Sequence, residues 1–110
     1  MDELNQTILN ARHAIENIEK CEKMAEIFKT LGDAGRLKVV KALTAGELCA
    51  SDIALALNLE NSVVSHQLKI LKASGIISAR KEGKYIYYKL ENECVIKLFE
   101  LMDQHLSQCN

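Results

Sequence analysis

Helical apolar spacing recurs through the first two-thirds of the chain, two β-rich runs around a basic turn follow, and one more helical stretch closes it. That order predicts a mainly α fold with a small β-hairpin, a winged helix-turn-helix arranged α-α-α-α-β-β-α. Two features carry the prediction. ELCASDIALALNLE and NSVVSHQLKIL are short helical patterns joined by a tight turn, and IISARKEGKYIYYK, a little further on, has the alternation and the Lys-Glu-Gly-Lys turn of a hairpin.

Each element follows from its own residues. Leu4, Ile8, Ala11, Ile15 and Ile18 step by four and three, a narrow seam of the kind that packs against another helix. Met24, Ile27, Phe28 and Leu31 continue an apolar face to Gly32, so one long helix or two joined near 19–22 fit equally well. Gly32 stops the helix and Asp33 is placed to cap the next, whose face is Leu37, Val40 and Leu43 and which ends near Gly46. Ile53, Ala54 and Leu57 make a short helix that Ser51 or a neighbour caps, and Asn58 suits the turn after it. Val64, Leu68 and Leu71 turn one face of 61–71 inward, and Ala73-Ser74-Gly75 breaks that helix. In the hairpin, Tyr85 and Tyr87 alternate with Ile86 and Tyr88, one side to the core and one outward. Val95, Phe99, Met102 and Leu106 form the core face of a closing helix over 91–109.

With 110 residues, 48% of them hydrophobic, the chain can bury one core but is too short for two. The absence of Pro permits helices almost anywhere and leaves five Gly as the main punctuation. No apolar run is long enough for a signal peptide or a membrane span, which predicts a cytoplasmic protein without a membrane partner. In that reducing compartment Cys21, Cys49, Cys94 and Cys109 are expected to be buried thiols, metal ligands or redox-sensing thiols rather than disulfides.

The net charge of −1 conceals an asymmetry. Lys69, Lys72, Arg80, Lys81, Lys84 and Lys89 against Glu60 and Glu82 make 60–89 basic by +4. Lys97 against Glu91, Glu93, Glu100 and Asp103 makes 90–110 acidic by −3. The basic block coincides with a helix face carrying Ser62, Ser65, His66, Gln67 and Lys69, groups of the types that reach base edges and phosphates in a major groove. A solvated helix face and hairpin tip would carry similar residues. Glu60 beside a phosphate would be repulsive, and Asn61 can cap the helix in its place.

The blocks FKTLGDAGRLKVVKAL, GELCASDIA, SVVSHQLKILKASGII and RKEGKYIYYKL, in this order and spacing, resemble those of the ArsR/SmtB family of metal-responsive repressors. The likeness runs from Met24 to Cys109. It implies a homodimer whose first and last helices form the interface, bound to a partly palindromic operator and released by an inducer. It also makes Ser62, Ser65, His66 and Gln67 the base readers, with Lys69, Arg80, Lys81 and Lys84 as phosphate contacts.

Two inducer sites follow from the resemblance. On the last helix Cys94, Leu98, Leu101, His105, Gln108 and Cys109 fall within a sector of roughly 100°. If two such helices pack antiparallel, Cys94 of one copy approaches His105 and Cys109 of the other. Family members with a metal here have Asp-x-His near the helix start and His-x-x-Glu or His-x-x-His near its end, where this chain has Asn92, Cys94, His105 and Gln108. Thiols replacing carboxylate or imidazole favour a soft ion, Zn(II), Cd(II) or Cu(I), or thiol redox chemistry. The other candidate, ELCASD, resembles the family's metal box ELCVCD or ELCVGD, which makes Cys49 and Asp52 ligands together with His13 from the partner's N-terminal segment, and Cys21 a further candidate. Ser51 in place of the second box cysteine argues against a tri-thiolate arsenic or lead site. Cys49 equally suits a small core position, Asp52 a carboxylate favoured by the helix dipole, and His105 a hydrogen-bonded interface.

The sequence therefore predicts a homodimeric repressor that leaves its operator when a thiophilic metal ion binds. A thiol-oxidation or persulfide sensor on the same fold, acting through Cys94 and Cys109 or Cys49, is one alternative; a winged helix that docks protein without touching DNA is another. An enzyme is disfavoured, since neither an HExxH motif nor a His-Cys-Cys cluster with an adjacent general base occurs. One domain is expected over 1–110, with 1–22 and 91–109 as dimerisation helices, 47–72 as the helix-turn-helix and 76–90 as the wing.

Overall fold

The structure, a computed structural model, describes residues 2–108. In order they form α1 (Asp2–Ala14), α2 (Ile18–Leu31), α3 (Ala34–Leu43), β1 (Leu48–Cys49), α4 (Ala50–Leu57), α5 (Asn61–Ala73), β2 (Ile77–Glu82), β3 (Tyr85–Leu90) and α6 (Glu93–Gln108). The winged helix-turn-helix is present, with two refinements of the expected order: the first helical stretch is divided, and a two-residue strand precedes α4.

The division falls at 15–17 rather than 19–22, because Asn17 caps α2 by accepting from the Lys20 N–H at 2.9 Å. Asp33 caps α3 as expected, its Oδ2 accepting from the Arg36 N–H at 2.9 Å. Arg36 Nε in turn donates to the Thr30 carbonyl at 2.7 Å, satisfying an acceptor at the end of α2 and fixing the α2–α3 corner. Asn58 ends α4 in the left-handed region at φ 54°, which turns the chain into α5.

One core joins these elements. Val39, Val40 and Leu43 of α3, Ile53 of α4, Val64, Leu68 and Leu71 of α5, Ile76, Ile77, Leu90, Val95 and Phe99 are all buried. Leu37, expected on the core face of α3, is 37% exposed, whereas Val39 is fully buried. The reason is that α3 packs against α2, α4, α5 and β3, so its buried sector is set by several neighbours. The sheet is antiparallel in the order β1-β3-β2, with Cys49 opposite Tyr87 and Arg80 opposite Tyr87 on its other side. In β3 the expected alternation is blurred: Tyr85 and Ile86 are both exposed and Tyr87 and Tyr88 both half-buried.

α1 and the last two turns of α6 lie outside this core, while Val95 and Phe99 anchor the start of α6 in it. Residues 5–20 and 101–108 are exposed throughout, including Met102 and Leu106, which were expected to face inward. The radius of gyration is 18.2 Å, against about 13 Å for a compact chain of this length. The accessible surface is 8380 Å², against about 6,100 Å² for a folded monomer of this mass. No described helix is long and apolar enough to cross a membrane.

Candidate nucleic-acid interface and sensor residues

Val64, Leu68 and Leu71, each no more than 1% exposed, fasten α5 to the core. Helical spacing then places Ser62, Ser65, His66 and Lys69 on one exposed stripe of the opposite side. Glu60 occupies the N-cap position without a side-chain cap, and Asn61, expected to cap, is the first helical residue.

Gln67 stands off this stripe. It is half-buried, its Oε1 is enclosed without a hydrogen-bond partner, and its Nε2 would lie 3.0 Å from a Cβ placed on Gly35. The missing Cβ of Gly35 thus lets α3 and α5 approach closely around the Gln67 amide. An enclosed acceptor left unpaired costs about 1–3 kcal/mol. Gln67→Met is therefore expected to raise the thermal midpoint by roughly 4–8 °C for each kcal/mol recovered. Calorimetry checks this; a lower midpoint would mean that the amide stabilises the α3–α5 contact through its nitrogen.

The wing stands beside the stripe. Ser65 of α5, Lys84 of the hairpin turn, Tyr85 at the start of β3, and Cys49 line one cleft of about 290 Å³. Lys69, Lys81 and Lys84 are exposed, with Lys84 Nζ 5.4 Å from the Tyr85 ring centroid. Arg80 is engaged by protein. Its guanidinium donates to Glu47 Oε2 at 2.8 Å and to Glu82 Oε2 at 2.6 Å. These bonds hold the Arg80 pKa above its ordinary value, and the bond from Arg80 keeps the Glu47 carboxyl below the usual range. Sequence spacing does not mark Glu47, because its partner lies 33 residues further on.

The candidate sensor residues do not converge within one chain. Among the described residues, no group of three or more His, Cys, Asp and Glu is close enough to hold a metal ion. Cys49 is buried at the N-cap position of α4, which has no side-chain cap, and its Sγ lies 3.2 Å from Ser51 Oγ. The side-chain cap expected from Ser51 or a neighbour is therefore not made. Asp52 is exposed in the first turn of α4. His13, on exposed α1, has Nδ1 3.4 Å from Glu16 Oε2. Cys21 and Cys94 are exposed free thiols. Cys94 and His105 sit at opposite ends of α6, about 16 Å apart along the axis at 1.5 Å per residue. A single chain therefore cannot bring both to one ion. Cys109 lies outside the described residues.

Comparison with known proteins agrees with this architecture. The profile of the bacterial regulatory proteins of the arsR family matches residues 33–79, which take in α3, the helix-turn-helix and the start of the wing. A transcriptional repressor SmtB homolog from Synechocystis sp. is 35% identical over 94 residues, 86% of this chain and 71% of that protein. A cadmium resistance regulatory protein CadC homolog from Staphylococcus aureus is 42% identical over 78 residues, 70% of this chain and 64% of that one. A homodimeric winged helix-turn-helix DNA-binding domain from Mycobacterium bovis, solved by NMR, superposes with a TM-score of 0.75 at 30% identity, covering 83% of this chain and 84% of the other. With relatives this similar over most of their length and the same winged helix-turn-helix arrangement, the chain belongs to the ArsR/SmtB family of winged helix-turn-helix transcriptional regulators.

Proposed function

We propose that this regulator represses as a homodimer on operator DNA and is released by a thiophilic metal ion, Zn(II), Cd(II) or Cu(I). The observation that carries the DNA reading is that Ser65, from the exposed α5 stripe, lines the same cleft as Lys84 of the basic wing tip. Ser62, Ser65 and His66 enter the major groove, Lys69, Lys81 and Lys84 meet phosphates, and Gln67 orients α5 against α3. The whole of 1–110 works as one unit, with the two terminal helical segments pairing the copies.

Exposed apolar side chains support the dimer: Ile8, Ile15 and Ile18 near the N-terminus, and Leu101, Met102 and Leu106 on α6, are 44–65% exposed. A metal centre is then completed between copies, either by Cys94 of one α6 with His105 of an antiparallel α6, or by Cys49 and Asp52 with His13. The cadmium-resistance name of the Staphylococcus aureus relative supports a soft ion. Release is a coupling between the ion and DNA of about 1–3 kcal/mol, or roughly 5–150-fold in operator affinity, and by linkage DNA weakens the ion equally.

Titrating the reduced protein with each ion while following operator binding tests this. Cys49→Ser or Cys94→Ser is expected to abolish release, and whichever does so identifies the site. Should neither change release by any ion, both metal sites are wrong. Release by peroxide or polysulfide where metals have no effect would establish the thiol alternative.

A further inference from the structure

The sheet that carries the wing is fastened to the helix-turn-helix by very little backbone. β1 pairs with β3 through two residues only, Leu48 opposite Tyr88 and Cys49 opposite Tyr87, and leads directly into α4. So short a ladder holds two strands weakly, and apart from Leu48, Tyr88 and Leu90 at the core they are free to splay unless further side chains hold them. Arg80 does so. From β2, the far edge of the sheet, its guanidinium crosses the middle strand 5.1 Å from the Tyr87 ring centroid and reaches Glu47, the residue before β1. Nε and Nη2 both donate to Glu47 Oε2, at 3.2 and 2.8 Å, while Nη1 donates to Glu82 Oε2 at 2.6 Å.

We infer that Arg80 is a positioning residue, which clamps the wing to the entry of the helix-turn-helix through Glu47 rather than contacting phosphate. This rests on the DNA-binding reading above for its consequence, though not for its geometry. Three facts favour the clamp. Both sides of the guanidinium fork are already occupied by carboxylates, and the cluster of Arg80, Glu47 and Glu82 has a net charge of −1, which repels phosphate. Isolated surface ion pairs contribute little, but a forked arginine shared by two carboxylates and stacked on an aromatic ring is the geometry in which they matter. The clamp also spans all three strands, so its loss changes where Lys81 and Lys84 stand relative to the α5 stripe. Lysine cannot replace it, because a point charge on a flexible stem cannot serve two carboxylates and a ring at once.

The test compares Arg80→Gln, Arg80→Lys, Glu47→Gln and the wing-tip control Lys84→Gln in the full chain. Amide hydrogen exchange of the free protein is expected to rise about tenfold or more in β1 and β3 for the three clamp variants and to stay unchanged for Lys84→Gln. Operator affinity is expected to fall about equally for Arg80→Gln and Glu47→Gln, with no further loss in the double variant. The slope of log affinity against log salt should stay the same for the clamp variants and drop by about 0.9 for Lys84→Gln. Unchanged exchange overturns the clamp. So does a Glu47→Gln protein that binds tighter, or an Arg80→Gln protein whose salt slope drops by about 0.9, since either would make Arg80 a phosphate contact. If exchange rises as expected but the unmodified protein binds its operator with a flat salt response, the clamp stands and the DNA reading fails.

Discussion

Replacing Leu101 by aspartate is expected to leave each chain folded, to abolish self-association, and to lower operator affinity by on the order of 10³-fold, the lower end of the gap between specific and non-specific binding. Leu101 is 63% exposed and lies on α6 near Met102 and Leu106, so a charge there costs the isolated chain little, no more than about 1 kcal/mol of helix propensity. In a dimer the same carboxylate would be buried against its own copy, unpaired. Sedimentation would show the mass halve, and titration with operator DNA would show the loss of affinity. A dimer that survives Leu101→Asp would mean that the copies meet elsewhere, and the excess surface of the terminal helices would need another partner.

The second large effect concerns α5. Leu68 is 1% exposed in the middle of α5, and Leu68→Ala is expected to destabilise the fold by about 2–5 kcal/mol, because a cavity is left where α3, α4 and α5 converge. The thermal midpoint should fall by on the order of 10–20 °C. Val63, five residues earlier and 43% exposed, provides the contrast: Val63→Ala should change stability by no more than about 0.5 kcal/mol. Equal losses from the two substitutions would mean that α5 is not seated by its inner face.

These expectations draw unequally on sequence and on structure. Asp33 as a cap, Asn58 as a left-handed turn, Gly83 at the hairpin turn and the inward spacing of Val64, Leu68 and Leu71 are all consequences of a residue and its near neighbours. Local chemistry decides them, so they are legible along the chain. The exposed stripe of Ser62, Ser65, His66 and Lys69 belongs to the same class, because the inner face fixes the outer one.

The parts that were not legible depend on distant residues. β1 is two residues long, too short for any periodic pattern, and exists because β3 supplies its partner. Gln67 carries a base reader's chemistry, but the close approach of Gly35 on another helix draws its amide inward. Met102 and Leu106 have the spacing of a core face, yet periodicity cannot distinguish a face buried by its own chain from one left for another. Arg80 is basic in a basic block, and only folding brings Glu47 to it. By itself the sequence determined the order of the main helices and the hairpin, and the outward face of α5, because these rest on interactions within a few residues. The tertiary structure alone decided which of those outward groups remain open to a ligand and which are already occupied, because that depends on what the fold places opposite them.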